Sequence, residues 1–185
     1  MRYLSNCLRM LGVAALIAAS AAAQAQAWPE RPVRLVVPFP AGGATDLVAR
    51  VIAQRASRDI GQQVIVDNKA GAGGTIGSAE AAKATADGYT LLLTTSSTHA
   101  ISPHLMSRLP YDAIKDFTPI AHLADAASVL LVTPSLPVKT VAELIAYAKK
   151  HPGQLNYASS GNGTIVHLTT EAFKAQAGID RKSVV

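Results

Sequence analysis

Residues 34–46 read RLVVPFPAGGATD, and this stretch predicts a strand, a glycine turn and the start of a helix, in that order. The apolar run at 35–37 is typical of a strand that is buried on both faces of a parallel sheet. Pro38 and Pro40 end the strand because proline cannot donate to a sheet ladder. The Gly-Gly pair at 42–43 then allows the backbone to turn sharply or to approach a ligand closely.

The helix after this turn should begin at Thr45 or Asp46, because both side chains are good N-caps. Unpaired N–H groups at a helix N-terminus, together with the positive end of the helix dipole, can bind an anion. Many α/β units carry a glycine-rich turn that binds nothing, so this motif alone is only a hypothesis. A second turn of the same kind, ASSGNGT at 158–164, joins a predicted strand at 155–158 to a helix that opens at Thr164. Two such turns facing each other could hold the two ends of one anion.

The composition is that of a globular protein of about one domain. The chain has 185 residues, of which 49% are hydrophobic and 16% are charged. Loss of Arg2 and Arg9 with an N-terminal leader would leave 15 of the 17 basic residues against 12 acidic ones, which lowers the net charge from +5 to +3. The remaining basic residues are scattered and have no aromatic residues between them, so we expect no nucleic-acid partner.

The first 27 residues have the pattern of a secretory signal peptide. Arg2 and Arg9 form a positive region, residues 10–23 are apolar or small, and the AQA at 25–27 is a cleavage site. A membrane anchor is the alternative, but the apolar stretch is shorter than the ~20 residues that a span needs. Cys7 precedes the apolar run, which argues against a lipoprotein. Because Cys7 is the only cysteine, the mature chain has none, which fits the bacterial periplasm, where disulfides are optional.

Repeated strand–helix units predict an α/β fold with a parallel sheet. In such a sheet, ligands bind beyond the carboxyl ends of the strands, so the turns at 38–46, 67–75 and 95–99 should border one crevice. The other predicted elements are strands at 64–66, 89–94, 120–123 and 129–133, helices that end at Gly61 and Gly178, a helix at 76–86, and a helix that opens with the capping box of Thr140 and Glu143.

A dinucleotide site is the main alternative for the glycine cluster that follows the second strand. Gly71, Gly73 and Gly77 lie after that strand, but Ile76 stands where the G-x-G-x-x-G motif has its last glycine. No acidic residue ends the following strand, where it would hold a ribose hydroxyl. We therefore predict no cofactor, and we interpret the cluster as a tight turn that packs the next helix onto the sheet.

The sequence contains no recognisable catalytic set, so we predict a binding protein rather than an enzyme. No two histidines have the spacing of metal ligands on a helix, and the motifs H-E-x-x-H and G-x-S-x-G are absent. Ser159 and Ser160 have hydroxyls but no evident base partner, which favours binding over catalysis. The histidines are His99, His104, His122, His151 and His167.

The order and spacing of a set of short motifs resemble the tripartite tricarboxylate transporter receptors, which are the Bug-type periplasmic solute-binding proteins. Each motif alone is weak, whereas the set in this order is specific. The resemblance covers about residues 28–180, which is nearly the whole mature chain. The motifs are WPERP at 28–32, PFPAGGATD at 38–46, VDNKAGAGGTIG at 66–77, DGYTLL at 87–92, DFTPI at 116–120 and YASSGNGT at 157–164.

This resemblance implies a two-lobed α/β periplasmic binding protein of type II, a Venus flytrap with parallel-rich sheets flanked by helices. It divides the chain into a signal peptide at 1–27, a first lobe at 28–122, and a hinge crossing with a partial second lobe at 123–185. The implied function is capture of a small carboxylate between the lobes and delivery to membrane transporter subunits, by a monomer when full length. The alternative is a periplasmic protein that presents the bound carboxylate to a membrane sensor.

Carried over by position, the resemblance places ligand contacts in both glycine turns, and the crevice at the carboxyl ends of the strands adds the end of the third strand. Neither turn contains Lys or Arg, so main-chain donors and hydroxyls would recognise the negative charge. Asp46 would repel a bound anion unless it caps the helix or turns toward an amine on the ligand, and the cap is the role we expect. The expected ligand-binding residues are Phe39, Gly43, Ala44, Thr45, Asp46, Ser96, Ser159, Ser160, Gly161, Gly163 and Thr164, and no metal ligand is expected.

The chain departs from the family pattern most clearly at its end. Residues 181–185 read RKSVV and do not resemble the continuation of the family, so we expect a truncated product with an incomplete second lobe. Such a lobe would leave an unpaired sheet edge and an uncovered apolar face.

Overall fold

The computed structural model describes residues 28–179 and 182–184, so the predicted signal peptide at 1–27 lies outside the described residues. Strands and helices alternate along the chain, as the sequence predicts for an α/β fold. The elements are β1 (Val33–Val37), α1 (Ala44–Ile60), β2 (Val64–Asn68), a 3-10 turn (Ala72–Gly74), α2 (Thr75–Ala82), β3 (Thr90–Leu92), a π-helical turn (Ser97–Ile101), α3 (Ser102–Leu105), α4 (Val141–Lys150), β4 (Asn156–Ala158), α5 (Ile165–Ala177) and β5 (Lys182–Val184).

The first three strands form a parallel sheet in the order β2-β1-β3. Leu35 in the central strand lies opposite Val66 on one side and Leu91 on the other. Because the strands are parallel, their carboxyl ends lie at the same edge of the sheet. The turns after β1, β2 and β3 therefore meet at one edge, which confirms the arrangement that the sequence predicts.

The core of this sheet is built around β1, whose Val33, Val36 and Val37 are fully buried. Residues of α1 cover one face, where Ala49 and Ala53 pack against the strand. Burial of a Val or Leu side chain contributes about 1.5–3 kcal/mol, so the buried side chains of β1 contribute substantially to stability. The prediction of a strand buried on both faces is confirmed.

The N-cap of helix α1 lies two to three residues earlier than the sequence predicts. Gly43, not Thr45 or Asp46, occupies the N-cap position, and it makes no side-chain capping bond. Asp46 lies in the first helical turn, where its carboxylate accepts a hydrogen bond from the Gly42 N–H instead of capping from the position before the helix. Gly61 ends the helix in the left-handed conformation, with φ +71°, as the sequence predicts.

Helix α2 lies close to the sheet because Gly77 has no side chain. A Cβ added to Gly77 would lie 2.7 Å from the carbonyl oxygen of Lys69 and 2.9 Å from Cα of Pro38. Both neighbours are backbone atoms, which cannot move aside cheaply. This contact supports the interpretation of the glycine cluster as a turn that packs a helix onto the sheet.

The second half of the described chain contains α4, α5 and the parallel pair β4-β5. The capping box before α4 is confirmed: Thr140 Oγ1 accepts from the Glu143 N–H at 3.2 Å. Glu143 Oε2 in turn accepts from the Lys139 N–H at 2.6 Å. The end of α5 at Gly178, with φ +59°, is also confirmed.

The predicted strands at 120–123 and 129–133 are wrong. In the described chain these residues have no regular structure, and their side chains are exposed. Ile120 is 79% exposed and Leu131 is 82% exposed. An apolar run forms a strand only where a neighbouring strand pairs with its backbone, and the described residues provide no such neighbour here.

Candidate functional site

The turn between β1 and α1, residues 39–46, is called the first corner. The first N–H groups of an α-helix have no partner within the helix, and in α1 these belong to Ala44 and Thr45. Ala44 is exposed and Thr45 is half-buried, so these N–H groups lie near the surface. Together with the helix dipole they provide positive potential at the edge of the sheet.

Asp46 belongs to the first corner, but its carboxylate is only 2% exposed. Oδ2 accepts from the Gly42 N–H at 2.8 Å and from Arg50 Nε at 2.9 Å. Oδ1 accepts from Nδ2 of Asn68 at 3.0 Å. The hydrogen bond from Arg50, followed by the bond from Gly42, lowers the pKa of Asp46 to about 2. The carboxylate is therefore ionised at neutral pH and compensated within the protein.

Asn68 connects Asp46 to the backbone of the first corner. Its Nδ2 also donates to the carbonyl oxygen of Phe39 at 3.1 Å, and its Oδ1 accepts from Arg50 at 3.4 Å. Asn68 ends β2, so it lies at the edge of the sheet where the turns meet. The sequence interpretation did not assign Asn68 or Arg50 a role. The available signal was a polar side chain at the carboxyl end of a strand, next to the turn at 67–75.

The turn between β4 and α5, residues 159–164, is called the second corner. Three of its six N–H groups, those of Gly161, Gly163 and Thr164, already donate within the chain. The Gly163 N–H donates to Nδ1 of His167 at 3.1 Å, and the Gly161 N–H donates to Oγ of Ser159 at 3.3 Å. Thr164 is fully buried, caps α5 by accepting from the His167 N–H, and donates to the Gly161 carbonyl oxygen at 2.7 Å. The second corner therefore offers serine hydroxyls in addition to its remaining amides.

Ser159 and Ser160 carry those hydroxyls. Ser160 is exposed, and its Oγ donates to Thr164 Oγ1 at 3.2 Å. Ser159 is half-buried, and its Oγ accepts a hydrogen bond from the Gly161 N–H. The hydroxyl proton of Ser159 takes no part in that bond and can still be donated. Either hydroxyl can reorient toward a ligand because it rotates about a single bond.

Both corners come close to the glycine turn at 71–74. A Cβ added to Gly161 would lie 3.6 Å from Cα of Gly73. One added to Gly74 would lie 3.1 Å from Cζ of Phe39 and 2.6 Å from Cγ2 of Thr98. The same glycine turn thus contacts the second corner, the first corner and the exit of β3. The two corners border one region of the molecule.

The exit of β3 joins the start of α5 next to the second corner through Ser97, a residue that the sequence did not single out. Ser97 is 3% exposed, and its Oγ accepts from the Ile165 N–H at 3.1 Å. Ser96 is exposed. The other predicted ligand-binding residues differ in exposure. The exposed ones are Gly43, Ala44 and Ser160, and the buried ones are Asp46 and Thr164. The half-buried ones are Phe39, Thr45, Ser159, Gly161 and Gly163.

His99 lies behind this edge in an aromatic cluster. Its ring stacks on Tyr111 and contacts the edge of Phe117, with centroid distances of 5.7 and 4.7 Å. Nδ1 contacts the hydroxyls of Thr94 and Thr98. Burial lowers the pKa of His99. Within residues 28–179, no group of three or more His, Cys, Asp or Glu side chains could hold a metal ion.

The described chain has the α/β fold of the periplasmic binding proteins, with a parallel sheet flanked by helices. A family model described as the tripartite tricarboxylate transporter family receptor matches residues 48–184, and the chain belongs to this family. The match includes β5, so the expectation that the residues after 180 depart from the family is wrong for 182–184. Among the described residues, no helix combines the length and the apolar character needed to cross a bilayer.

Two relatives of known sequence match most of this chain. A UPF0065 protein of Bordetella pertussis is 42% identical over 173 residues, which cover 94% of this chain and 53% of that protein. Protein BugT of the same organism is 40% identical over 178 residues, which cover 94% of this chain and 55% of BugT. The chain therefore spans about half the length of these relatives.

Two solved structures also match this chain over about half of their own length. Rpa4515 of R. palustris, solved with adipate, superimposes with a TM-score of 0.82 at 44% identity, over 85% of this chain and 52% of that chain. MatC (Rpa3494) of Rhodopseudomonas palustris, solved with bound malate, gives a TM-score of 0.79 at 35% identity, over 85% of this chain and 53% of that chain.

Proposed function

We propose that this chain forms part of an extracytoplasmic receptor that captures a small carboxylate metabolite between two lobes and delivers it to a tripartite tricarboxylate-type membrane transporter. The main support is that both corners come close to one glycine turn, through Phe39 of the first corner and Gly161 of the second. A ligand beside that turn would lie next to both corners. The family to which the chain belongs is a receptor family, which supports binding rather than catalysis.

The proposed ligand is an anion, because the first corner presents partial positive charge and no competing carboxylate. The N–H groups of Ala44 and Thr45 supply this charge, and Asp46 is turned inward. Ser159 and Ser160 would bind the other end of the ligand. Relatives solved with adipate and malate show that carboxylates bind to proteins of this fold. Neither corner contains a Lys or Arg, so backbone N–H groups and serine hydroxyls, and not cationic side chains, would bind the carboxylate.

The proposed lobes follow the division at residue 122. Residues 28–122 hold the first corner, and residues 123–185 hold the hinge crossing and the second corner. Closure about the crossing would bring the two corners onto the ligand. The signal peptide at 1–27 would direct the protein to the periplasm, where a membrane transporter subunit receives the ligand. A receptor that reports ligand occupancy to a membrane sensor is the alternative, and binding to the isolated partner protein distinguishes the two.

A thermal-shift screen of the purified protein against monocarboxylates, dicarboxylates, tricarboxylates and nucleotides tests this proposal. A ligand present at about 100 times its Kd stabilises the folded state by about 2.7 kcal/mol. We expect carboxylates to raise Tm and nucleotides to leave it unchanged. The opposite pattern would contradict the proposal.

Substitution at Gly43 separates binding from folding. Gly43 has φ −76°, and an added Cβ would meet only the Pro40 carbonyl oxygen, at 3.4 Å. A side chain here is therefore compatible with the fold, while the branched side chain of Gly43→Val would project beside the N–H groups of the first corner. We expect Gly43→Val to keep a cooperative melt and to lose binding, with Gly43→Ala as the smaller matched change. Normal binding by Gly43→Val would overturn the role of the first corner.

A further inference from the structure

A chain of hydroxyl groups connects the ring of His99 to the backbone at the exit of β3. Nδ1 of His99 lies 2.5 Å from Oγ1 of Thr94 and 3.0 Å from Oγ1 of Thr98. These two hydroxyl oxygens are 2.6 Å apart. The Thr98 hydroxyl also donates to the Thr95 carbonyl oxygen at 3.1 Å, and this bond ends the chain.

The number of protons in this chain indicates which nitrogen of His99 is protonated. If Nδ1 carries the proton, it donates to Thr94, and Thr94 donates to Thr98. The Thr98 hydroxyl then keeps its proton for the Thr95 carbonyl oxygen. If Nε2 carries the proton instead, Nδ1 must accept from a hydroxyl, and the chain has one hydrogen bond fewer.

The surroundings of Nε2 favour the same tautomer. Nε2 of His99 is buried and has no hydrogen-bond partner in the part of the chain that the structure describes. Buried N–H donors are seldom left without an acceptor in native proteins. The neutral ring of His99 is therefore expected to carry its proton on Nδ1 and a bare lone pair on Nε2.

No carboxylate is bonded to His99 within residues 28–179. Of the side chains that stack on or hydrogen-bond to its ring, only that of Tyr111 titrates, and burial raises the pKa of this phenol, so it is neutral at neutral and acidic pH. Asp112, next to Tyr111 in sequence, and Asp116 accept from backbone N–H groups of their own loop. Asp112 also pairs with Lys115 at 3.5 Å. Protonation of His99 would therefore place a positive charge and a second N–H group in this cluster without a partner for either, and burial accordingly lowers the pKa of His99.

The hydroxyl chain reaches the two elements that border the proposed ligand site. Thr98 is fully buried in the π-helical turn at Ser97–Ile101, and its Cγ2 would lie 2.6 Å from a Cβ added to Gly74 in the glycine turn. Ser97, its neighbour, accepts from the Ile165 N–H at the start of α5. A change at His99 can therefore reach both the glycine turn and the second corner.

We propose that His99 is a positioning residue whose neutral, Nδ1-protonated ring holds the π-helical turn in place, and whose protonation at acidic pH loosens this turn and releases the bound carboxylate. This inference rests on the proposed function and adds to it a pH-dependent release of the ligand.

NMR of the ¹⁵N-labelled protein tests the tautomer without any substitution. Long-range ¹H–¹⁵N correlation spectra distinguish a protonated ring nitrogen from a bare one, and the signals that disappear in His99→Asn are those of His99. At about pH 8, above the ordinary pKa of histidine, we expect Nδ1 to be protonated and Nε2 to be bare. A protonated Nε2 in the neutral ring would overturn the inference while leaving the receptor function intact.

Calorimetric titration with succinate at a series of pH values tests the release. In the unsubstituted protein, affinity should be constant above about pH 6.5 and should fall by up to about tenfold per pH unit once His99 is protonated. His99→Asn keeps an N–H donor near the position of Nδ1 and does not titrate, so it should bind within about threefold of the unsubstituted protein at about pH 8 and show a flatter profile. His99→Phe keeps a ring but loses the donor, so it should bind about tenfold more weakly throughout.

His104→Asn is the matched control, because His104 is exposed and its replacement should leave the profile unchanged. Protonation of succinate itself affects all the proteins alike, so differences between their profiles come from the protein. Identical profiles for the unsubstituted protein and His99→Asn would overturn the inference. Failure of every carboxylate to bind at about pH 8, where His99 is neutral, would instead overturn the proposed function, and the acid release with it.

Discussion

The hydroxyl of Ser97 accepts a hydrogen bond at 3.1 Å from the backbone N–H of Ile165, which follows it by 68 residues. Ile165 is the first residue of α5, so its N–H has no partner within the helix. This one bond therefore fixes the N-terminus of α5, and with it the second corner, against the exit of β3.

Substitution of Ser97 by alanine should lower the free energy of unfolding by about 1–3 kcal/mol, because it leaves the Ile165 N–H without its acceptor. Urea unfolding measures the loss, and amide hydrogen exchange at Ile165 should become faster. Ser96→Ala is the control: Ser96 is exposed, so its removal should change stability by no more than about 0.5 kcal/mol. If both variants unfold at the same urea concentration, the bond does not hold α5 in place.

Gly77→Ala should be strongly destabilising because its Cβ would lie 2.7 Å from the Lys69 carbonyl oxygen. Overpacking against backbone costs about 1–3 kcal/mol, which denaturant midpoints can resolve. Gly43→Ala provides the comparison, since its Cβ makes an ordinary contact and the change of N-cap residue costs at most about 1 kcal/mol. A Gly77→Ala protein as stable as the unsubstituted one would show that α2 does not lie this close to the sheet.

The stability of the fold should fall as the pH drops below the ordinary pKa of histidine, about 6.5. Burial lowers the pKa of His99, so the unfolded chain takes up a proton that the folded chain does not bind. His99 therefore contributes stability that is fully present above the ordinary pKa of histidine. This stability is lost as the pH falls toward the lowered pKa of His99 in the folded protein. Urea unfolding across this range should show a weaker pH dependence for His99→Phe than for the unsubstituted chain. His104→Phe, at an exposed histidine, is the control, and identical profiles for all three proteins would contradict the prediction.

Replacement of the exposed apolar side chains between residues 114 and 132 should reduce aggregation without loss of stability. Leu131 and Ile120 are 82% and 79% exposed, so Leu131→Lys and Ile120→Lys remove apolar surface from contact with water. Light scattering should fall, and the free energy of unfolding should change by no more than about 0.5 kcal/mol. Leu144→Lys, at a side chain that is 2% exposed, should instead unfold the protein. A large loss of stability in Leu131→Lys would mean that this side chain is covered in solution.

The elements that could be predicted from sequence carry their signals locally. The strand at 33–37 is a short apolar run bounded by proline, and Gly61 and Gly178 end helices because glycine adopts the left-handed conformation at little cost. Thr140 and Glu143 form their capping box within four residues of chain. The repeated strand–helix units predicted a parallel sheet, and the parallel direction of the strands placed the three turns at one edge.

The features that could not be predicted depend on residues far apart in the chain. The apolar residues at 120–123 and 129–133 match a strand pattern, but a strand also needs a pairing partner, which the pattern does not reveal. Likewise, nothing near Ser97 indicates that it meets Ile165, and nothing near Asn68 indicates that it binds Asp46. The N-cap position at Gly43 was missed because Asp46 satisfies a backbone N–H from within the first turn.

The most direct test of the account is an NMR titration of the purified protein with succinate, followed at the amides of both corners. If one carboxylate ligand binds between them, the signals of Ala44 and Thr45 and those of Ser159 and Ser160 should shift together and saturate with the same dissociation constant. Shifts confined to one corner, or absent from both while the protein stays folded, would contradict the account.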